Sequence, residues 1–328
     1  MTETPDAVVQ VPGELVDTQV RYHGDRGREF VAALPGRAAA FLDRWGLRLD
    51  GPSMFGVCAL VLPVVRQDGT PAVLKLQQVD DETVGEPAAL RAWDGHGAVR
   101  LLEHDAATGT MLLERLTAAR QLTSVDARTG VLVIAELLAR LTAVPAPSGM
   151  RRLADMARDA DARSPRLRQV ADPEARRVLT DCAAAQREVL TDLTDPTDGA
   201  ATATDTVTAA GTATAIAPGT GARGDRLLHW DLHFENVLAA DREPWLAIDP
   251  KPLAGDPGFE LFPALHNRFE ADEVVWRFDA MTDVMGLDRD RARGWTLARV
   301  LQTCLWDVER ELPPTPRHVE IARRLLAG

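Results

Sequence analysis

The stretch Leu227-Leu228-His229-Trp230-Asp231-Leu232-His233-Phe234-Glu235-Asn236-Val237-Leu238, followed by Trp245-Leu246-Ala247-Ile248-Asp249-Pro250, decides how the chain is read. An Asp is followed five residues later by an Asn, and a second Asp closes an apolar run. The flanking pieces Leu227-Leu228, Asn236-Val237-Leu238 and Trp245 to Ile248 have the length and composition of short buried strands, which puts the three polar side chains at strand ends. Singly, each has an ordinary explanation, since a lone Asp caps a helix or solvates a turn and a lone Asn forms one. Together they supply what phosphoryl transfer needs. Asp231 would accept the proton of an attacking hydroxyl and orient its oxygen, while Asn236 and Asp249 would offer hard oxygen ligands to Mg²⁺ on the ATP phosphates.

The same letters admit a rival chemistry. His229-x-Asp231-x-His233 would put alternate side chains on one strand face, as in a zinc hydrolase. That reading leaves Asn236 and Asp249 without roles, and the other histidines (His23, His96, His104, His266, His318) show no ligand-like clustering in the sequence. On the phosphotransfer reading His229 braces the loop, and His233 lines the site or packs.

Lysine usage is the second signal. Of 37 basic residues only Lys75 and Lys251 are lysines. Lys75 ends the strand-like Pro71-Ala72-Val73-Leu74-Lys75-Leu76, similar to the Val-Ala-Ile-Lys strand whose ammonium contacts the α- and β-phosphates; the alternative is a solubilising lysine on an edge strand. Such a lysine needs a carboxylate. Glu86 opens an amphipathic stretch and shares its inward face with Leu90 and Trp93, whereas Glu82 belongs to the charge run Asp80-Asp81-Glu82, a solvated first turn. Lys251, just past Asp249, either orients phosphate or acceptor, or pins its own segment through Asp256 or Glu260. Strands are expected over residues 98–102 and 110–113, and Glu114-Arg115-Leu116 then becomes a link whose backbone would cradle adenine. The turn Asp50 to Cys58 lacks a GxGxxG pattern, and Ser53 and Gly56 are its candidate nucleotide contacts.

Composition bounds the rest. A chain of 328 residues accommodates two lobes with sizeable cores, and 45% hydrophobic content without a long apolar run argues against a membrane span. The polar start Met1-Thr2-Glu3-Thr4-Pro5-Asp6 shows no signal peptide, which points to the cytoplasm. Cys58, Cys182 and Cys304 lie far apart and suggest neither disulfides nor a CxxC metal site. A net charge of -12 disfavours nucleic acid and suits a cationic substrate, although it also serves solubility. Residues 192–225, rich in Thr, Ala, Gly and Asp, read as a disordered low-complexity loop, with a substrate lid as the alternative. Helical spacing marks residues 130–144, 173–193 and 288–310.

These motifs resemble the aminoglycoside/hydroxyurea antibiotic-resistance kinase family, which includes streptomycin 6-kinases. The resemblance is carried by residues 57–63, by 72–115 with Val84-Gly85-Glu86-Pro87-Ala88-Ala89-Leu90-Arg91-Ala92-Trp93, by 229–260 with Ile248-Asp249-Pro250-Lys251-Pro252, and by 286–306. It implies an α+β, bilobal, protein-kinase-like fold: an antiparallel sheet with a helix in an N-terminal nucleotide-binding lobe (residues 1–116), a hinge at 114–118, and a mostly helical catalytic lobe (117–328). It further implies transfer of the ATP γ-phosphate, with Mg²⁺, to a small-molecule hydroxyl, with Asp231, Asn236, Asp249, Lys75 and Glu86 at its motif positions. Trp230 stands where many members of the superfamily carry glycine. The expected acceptor is a cationic aminoglycoside such as streptomycin, met by acids among Asp256, Glu260, Glu270, Asp272, Glu273 and Asp307; residue by residue, the alternative is a solvated or structural charge. Hydroxyurea, another hydroxylated metabolite, and a catalytically silent nucleotide-binding protein are the other readings.

Overall fold

The computed structural model describes residues 9–194 and 224–328. The polar N-terminal hexapeptide lies outside these residues, as does 195–223 of the expected low-complexity loop; residues 192–194 continue a helix. Contacts divide the chain into two compact units, Met1–Ala118 with Ala240–Pro244, and Ala119–Ala239 with Trp245–Gly328.

The first unit holds a long helix, α1 (Gly13–Arg44), then β1 (Arg48–Leu49), β2 (Met54–Phe55), β3 (Ala59–Val65), β4 (Pro71–Gln77), α2 (Glu86–Trp93), β5 (Leu101–Asp105) and β6 (Thr110–Glu114). The strands form one antiparallel sheet in the order β1-β3-β4-β6-β5, with β2 on β3. Side-chain alternation assigns its faces. Leu60, Leu62 and Val64 of β3, Ala72, Leu74 and Leu76 of β4 and Leu112 of β6 pack with Leu15, Phe30, Leu34, Ala38 and Phe41 of α1. The residues between them, Val61, Lys75 and Met111, are register partners and point to the opposite face.

Helix α1 has no counterpart in the sequence analysis, and its backbone explains why. Gly24 breaks it with a left-handed φ of 56°, and a Cβ on Gly27 would lie 2.1 Å from the Gln19 carbonyl oxygen, so only glycine allows this close approach. Beyond the break, Phe30, Leu34, Ala38 and Phe41 recur at helical spacing and are buried. Strand β5 also starts three residues later than expected, at Leu101 rather than Ala98. Gly95 and Gly97, at φ 79° and 81°, keep the chain turning, and the Ala98 carbonyl accepts a bond from Arg242 at 2.8 Å.

The second unit contains β7 (Thr117–Gln121), α3 (Ala127–Leu141), α4 (Leu153–Arg163), α5 (Pro173–Thr194), β8 (Arg226–Leu228), β9 (Val237–Ala239), β10 (Leu246–Ala247), β11 (Leu253–Gly255), α6 (Phe262–His266), α7 (Val274–Met285), α8 (Arg289–Glu309) and α9 (Pro316–Ala327). The strands make two small sheets, β10-β9-β7 and β11-β8. The helices start and stop where chemistry directs: Asp126 accepts from Thr129 N–H at 3.0 Å to cap α3, Asp288 from Arg291 N–H at 2.8 Å to cap α8, and Gly286 ends α7 at φ 63°. Helix α8 runs through the core, with Trp295 and Ala298 packed against Leu228, Trp230, Leu253 and Phe259. No helix among the described residues is long and apolar enough to cross a membrane.

Candidate active site

In the first unit Lys75 lies on the sheet face opposite α1, and α2 presents Glu86 to it. Lys75 Nζ donates to Glu86 Oε1 at 2.7 Å and Oε2 at 2.9 Å, and Gln77 Nε2, two residues along the same face, donates to Oε2 at 2.8 Å. Both charges are nearly desolvated, at 5% and 1% exposure. A pair this buried survives because every charge has partners. The turn before α2 is built by Asp80, whose Oδ1 accepts from Glu82 N–H and Thr83 N–H, each at 2.9 Å.

Ser53 precedes β2, and Gly56 closes the hairpin into β3 by donating its N–H to Ala59 O at 3.0 Å. Gly56 is exposed and a Cβ there would meet nothing within 4 Å, so the tip has open space. Glu114 ends β6 with its carboxylate already engaged: it accepts from Arg100 N–H at 3.0 Å and from Arg242 Nη2 at 2.6 Å. That hydrogen bond and charge push the Arg242 guanidinium above its ordinary value. The half-buried Leu116 uses its carbonyl to accept from Ala118 N–H at 3.1 Å.

In the second unit the decisive stretch forms a stitched pair of segments. Ile248 N–H donates to Asn236 O at 2.9 Å and Lys251 N–H to His229 O at 3.0 Å, which brings Asp231, Asn236, Asp249 and Lys251 together. His229, wholly buried, receives Asp231 N–H on Nδ1 at 3.3 Å and bonds Ile248 O through Nε2 at 3.0 Å, an arrangement that suits the neutral Nε2–H tautomer. Burial lowers its pKa to about 4, so it braces the loop without carrying charge.

Trp230 and Asp249 both adopt left-handed backbone, at φ 67° and 58°. That region of backbone favours glycine, which has no Cβ to clash there, over a bulky side chain. In this chain the strain is held by tertiary contacts. The guanidinium carbons of Arg299 and Arg151 lie 4.5 Å and 4.8 Å from the Trp230 ring centre, and Glu260 accepts the Trp230 N–H at 2.9 Å. Asn236 Nδ2 donates to Asp231 O at 2.9 Å, so its Oδ1 is the atom left for a cation. Lys251 Nζ donates to Asp231 Oδ2 at 3.0 Å, a partner that neither sequence alternative named.

Most of the acids nominated for the acceptor have partners within the protein. Glu260 is fully buried and grips the backbone N–H groups of His229 and Trp230; desolvation raises its pKa to about 7. Asp256 caps the following turn through Gly258 N–H at 2.9 Å and pairs with Arg291 at 2.7 Å. Asp307 Oδ2 accepts from Thr315 N–H at 3.0 Å and Thr315 Oγ1 at 2.9 Å. Glu273 pairs with Arg128 at 2.9 Å and Asp272 with Arg324 at 3.1 Å. Glu270 is exposed, and His233 bonds Glu235 Oε2 at 2.7 Å in the turn before Asn236. The bracing by Glu260 and the Lys251–Asp231 pair are what sequence reasoning missed; the Gly-to-Trp departure at position 230 was the available signal for the first.

The family model described as aminoglycoside/hydroxyurea antibiotic resistance kinase matches residues 44–310. A hydroxyurea phosphotransferase of Kitasatospora aureofaciens is 57% identical over 325 residues, covering 98% of this chain and 87% of that protein. A streptomycin 6-kinase of Streptomyces glaucescens is 48% identical over 316 residues, 92% of each. Among solved structures, a choline/ethanolamine kinase family protein from Mesorhizobium loti superposes with a TM-score of 0.51 at 17% identity, covering 85% of this chain and 88% of that one. That likeness gives the fold, the protein-kinase-like α+β architecture. By sequence over most of its length, the chain belongs to the aminoglycoside/hydroxyurea antibiotic resistance kinase family.

Proposed function

We propose that this kinase moves the γ-phosphate of ATP to the hydroxyl of a compact, uncharged acceptor of the hydroxyurea type, in the cytoplasm, by direct in-line transfer. The observation that carries the acceptor reading is the engagement of the nominated carboxylates: Asp256, Asp272 and Glu273 pair with arginines and Glu260 and Asp307 bond backbone N–H groups. A guanidinium-rich acceptor needs spare carboxylates for bidentate bonds, and Glu270 stands exposed outside these pairings. The second reading, phosphorylation of streptomycin, is favoured by the 48% identity to a streptomycin 6-kinase and by the net charge of -12.

The residues take these roles in the proposal. Asp231 positions the acceptor hydroxyl and takes its proton, with Lys251 fixing Oδ2 so that the other oxygen serves the acceptor. Asn236 Oδ1 and the Asp249 carboxylate are oxygen donors that fit a hard cation, and they would hold Mg²⁺. Bound Mg²⁺ supplies positive charge to the phosphate oxygens. Lys75, held by Glu86, contributes its ammonium to the α- and β-phosphates, while Ser53, Gly56 and the backbone of Glu114 and Leu116 contact the nucleotide. Comparing kcat/KM for hydroxyurea and streptomycin under saturating Mg-ATP tests the acceptor. Higher kcat/KM for hydroxyurea is expected; phosphorylation of streptomycin alone would replace it with the second reading.

A further inference from the structure

Away from the catalytic segment, the end of α8 and the start of α9 bring together a cysteine, an aspartate and a histidine. Donor atoms of Cys304, Asp307 and His318 all lie within 4.8 Å of one another. Cys304 and Asp307 are one helical turn apart on α8, and His318 follows the Thr315 cap of α9. We propose that these residues form a structural site for zinc(II), joining α8 to α9.

His318 is 6% exposed, yet neither of its ring nitrogens has a hydrogen-bond partner among the described residues. A buried imidazole without partners is costly, and coordination is one of the few ways to satisfy a lone pair in a dry place. Cys304 is wholly buried beside it. Asp307 gives Oδ2 to Thr315 N–H and Oγ1, and so keeps Oδ1 for a further ligand role, the outer-shell support that metal-binding carboxylates require. Tetrahedral zinc binds sulfur at about 2.3 Å and nitrogen or oxygen at about 2.0–2.2 Å, which sets donors about 3.5 Å apart, a small rotamer adjustment from the present spacing.

Charge also balances. One thiolate and one carboxylate neutralise the dication, so the filled site buries no net charge; the thiol proton leaves to solvent as the sulfur–metal bond forms. The fourth position belongs to water or to His266, whose buried Nδ1 also has no hydrogen-bond partner among the described residues and whose ring lies 5.2 Å from that of His318. The combination of sulfur, nitrogen and carboxylate donors selects zinc over magnesium, which distinguishes this site from the oxygen donors of Asn236 and Asp249.

The test is a cobalt(II) titration of the full-length, tag-free protein, read by absorption. One equivalent should produce a thiolate-to-cobalt charge-transfer band that zinc abolishes and that persists in Cys182→Ala; oxygen donors cannot give this band. Cys304→Ala should lose it, and His318→Gln should weaken cobalt affinity by at least the roughly 10–100-fold that outer-shell changes alone cost. Zinc should also raise the melting temperature of the wild-type protein and not of His318→Gln, which gives a readout if Cys304→Ala fails to fold. No charge-transfer band in the wild type, or a band retained in Cys304→Ala, would overturn the site and leave the cluster as packed core.

Discussion

Lys251 Nζ and Asp231 Oδ2 form an ion pair at 3.0 Å, with the two side chains 32% and 24% exposed. The chain keeps only two lysines, and each is bonded to a carboxylate within its own unit, Lys75 to Glu86 and Lys251 to Asp231. Arginine, planar and more weakly hydrated, serves elsewhere; a compact ammonium suits a point contact with one oxygen.

Asp231→Asn should lower kcat by roughly 10²–10⁴-fold, the usual contribution of a positioned base, with little change in ATP affinity. Lys251→Met should give a smaller loss of kcat, again with the ATP dissociation constant preserved. Steady-state kinetics beside calorimetric ATP binding separates the two effects. A Lys251→Met enzyme with normal kcat and weakened ATP binding would move Lys251 from Asp231 to the nucleotide.

Glu86→Ala leaves the 5% exposed Lys75 without its main partner and should cost about 3–5 kcal/mol of stability, measured from denaturant midpoints. The double change Lys75→Met with Glu86→Leu removes both charges and should recover most of that stability, because desolvation no longer has to be offset. Its KM for ATP should remain elevated. Recovery of ATP binding along with stability would show that Lys75 does not contact phosphate.

Glu260 should make stability depend on pH. Its folded pKa, about 7, exceeds the ordinary 4.5, so the folded chain holds the proton more tightly. Its contribution is therefore full below pH 4.5 and is lost as pH rises through 7, on the order of 3 kcal/mol at about 1.4 kcal/mol per pH unit. His229, depressed from 6.5 to about 4, acts oppositely: its contribution is present above 6.5 and lost as pH falls toward 4. The difference between wild type and Glu260→Gln cancels the His229 effect, and it should shift in favour of Glu260→Gln as pH rises from 4.5 to 7. A difference that stays constant across that window would contradict the protonation of Glu260.

The parts of this molecule that were legible in sequence are those fixed by neighbours in the chain. Asp231, Asn236 and Asp249 are spaced by short strands whose apolar runs announce them, and Glu86 shares a helical face with Leu90 and Trp93. Helices over 130–144, 173–193 and 288–310 were readable from their spacing and exist as α3, α5 and α8. What escaped depends on contacts distant in sequence. Glu260 reaches back to His229 and Trp230, and a buried carboxylate bonded to backbone looks, in sequence, like any surface acid. His266 and His318 lie far apart in the sequence, yet their rings stand 5.2 Å apart because α6 and α9 pack together. Helix α1 was obscured by Gly24, Gly27 and Pro35, residues that interrupt the apolar period while allowing the chain to bend.

Gly130→Ala should couple packing to catalysis. A Cβ on this α3 residue would lie 2.4 Å from Phe234 Cε1, a buried ring between Asp231 and Asn236 in the chain. Overpacking of this kind costs about 1–3 kcal/mol, and displacement of Phe234 should lower kcat more than it alters the KM for ATP. Stability curves and kinetics on the same preparation check both. Unchanged kcat at reduced stability would show that the loop is held independently of α3.

The most direct measurement follows phosphate from ATP to acceptor in the wild-type protein and in Asp231→Asn, with product mass and acceptor-dependent ADP release recorded together. The wild type should convert hydroxyurea to its phosphorylated product in Mg-ATP, and Asp231→Asn should bind ATP yet form almost none. Equal product from Asp231→Asn would contradict the assignment of Asp231 as the acceptor base.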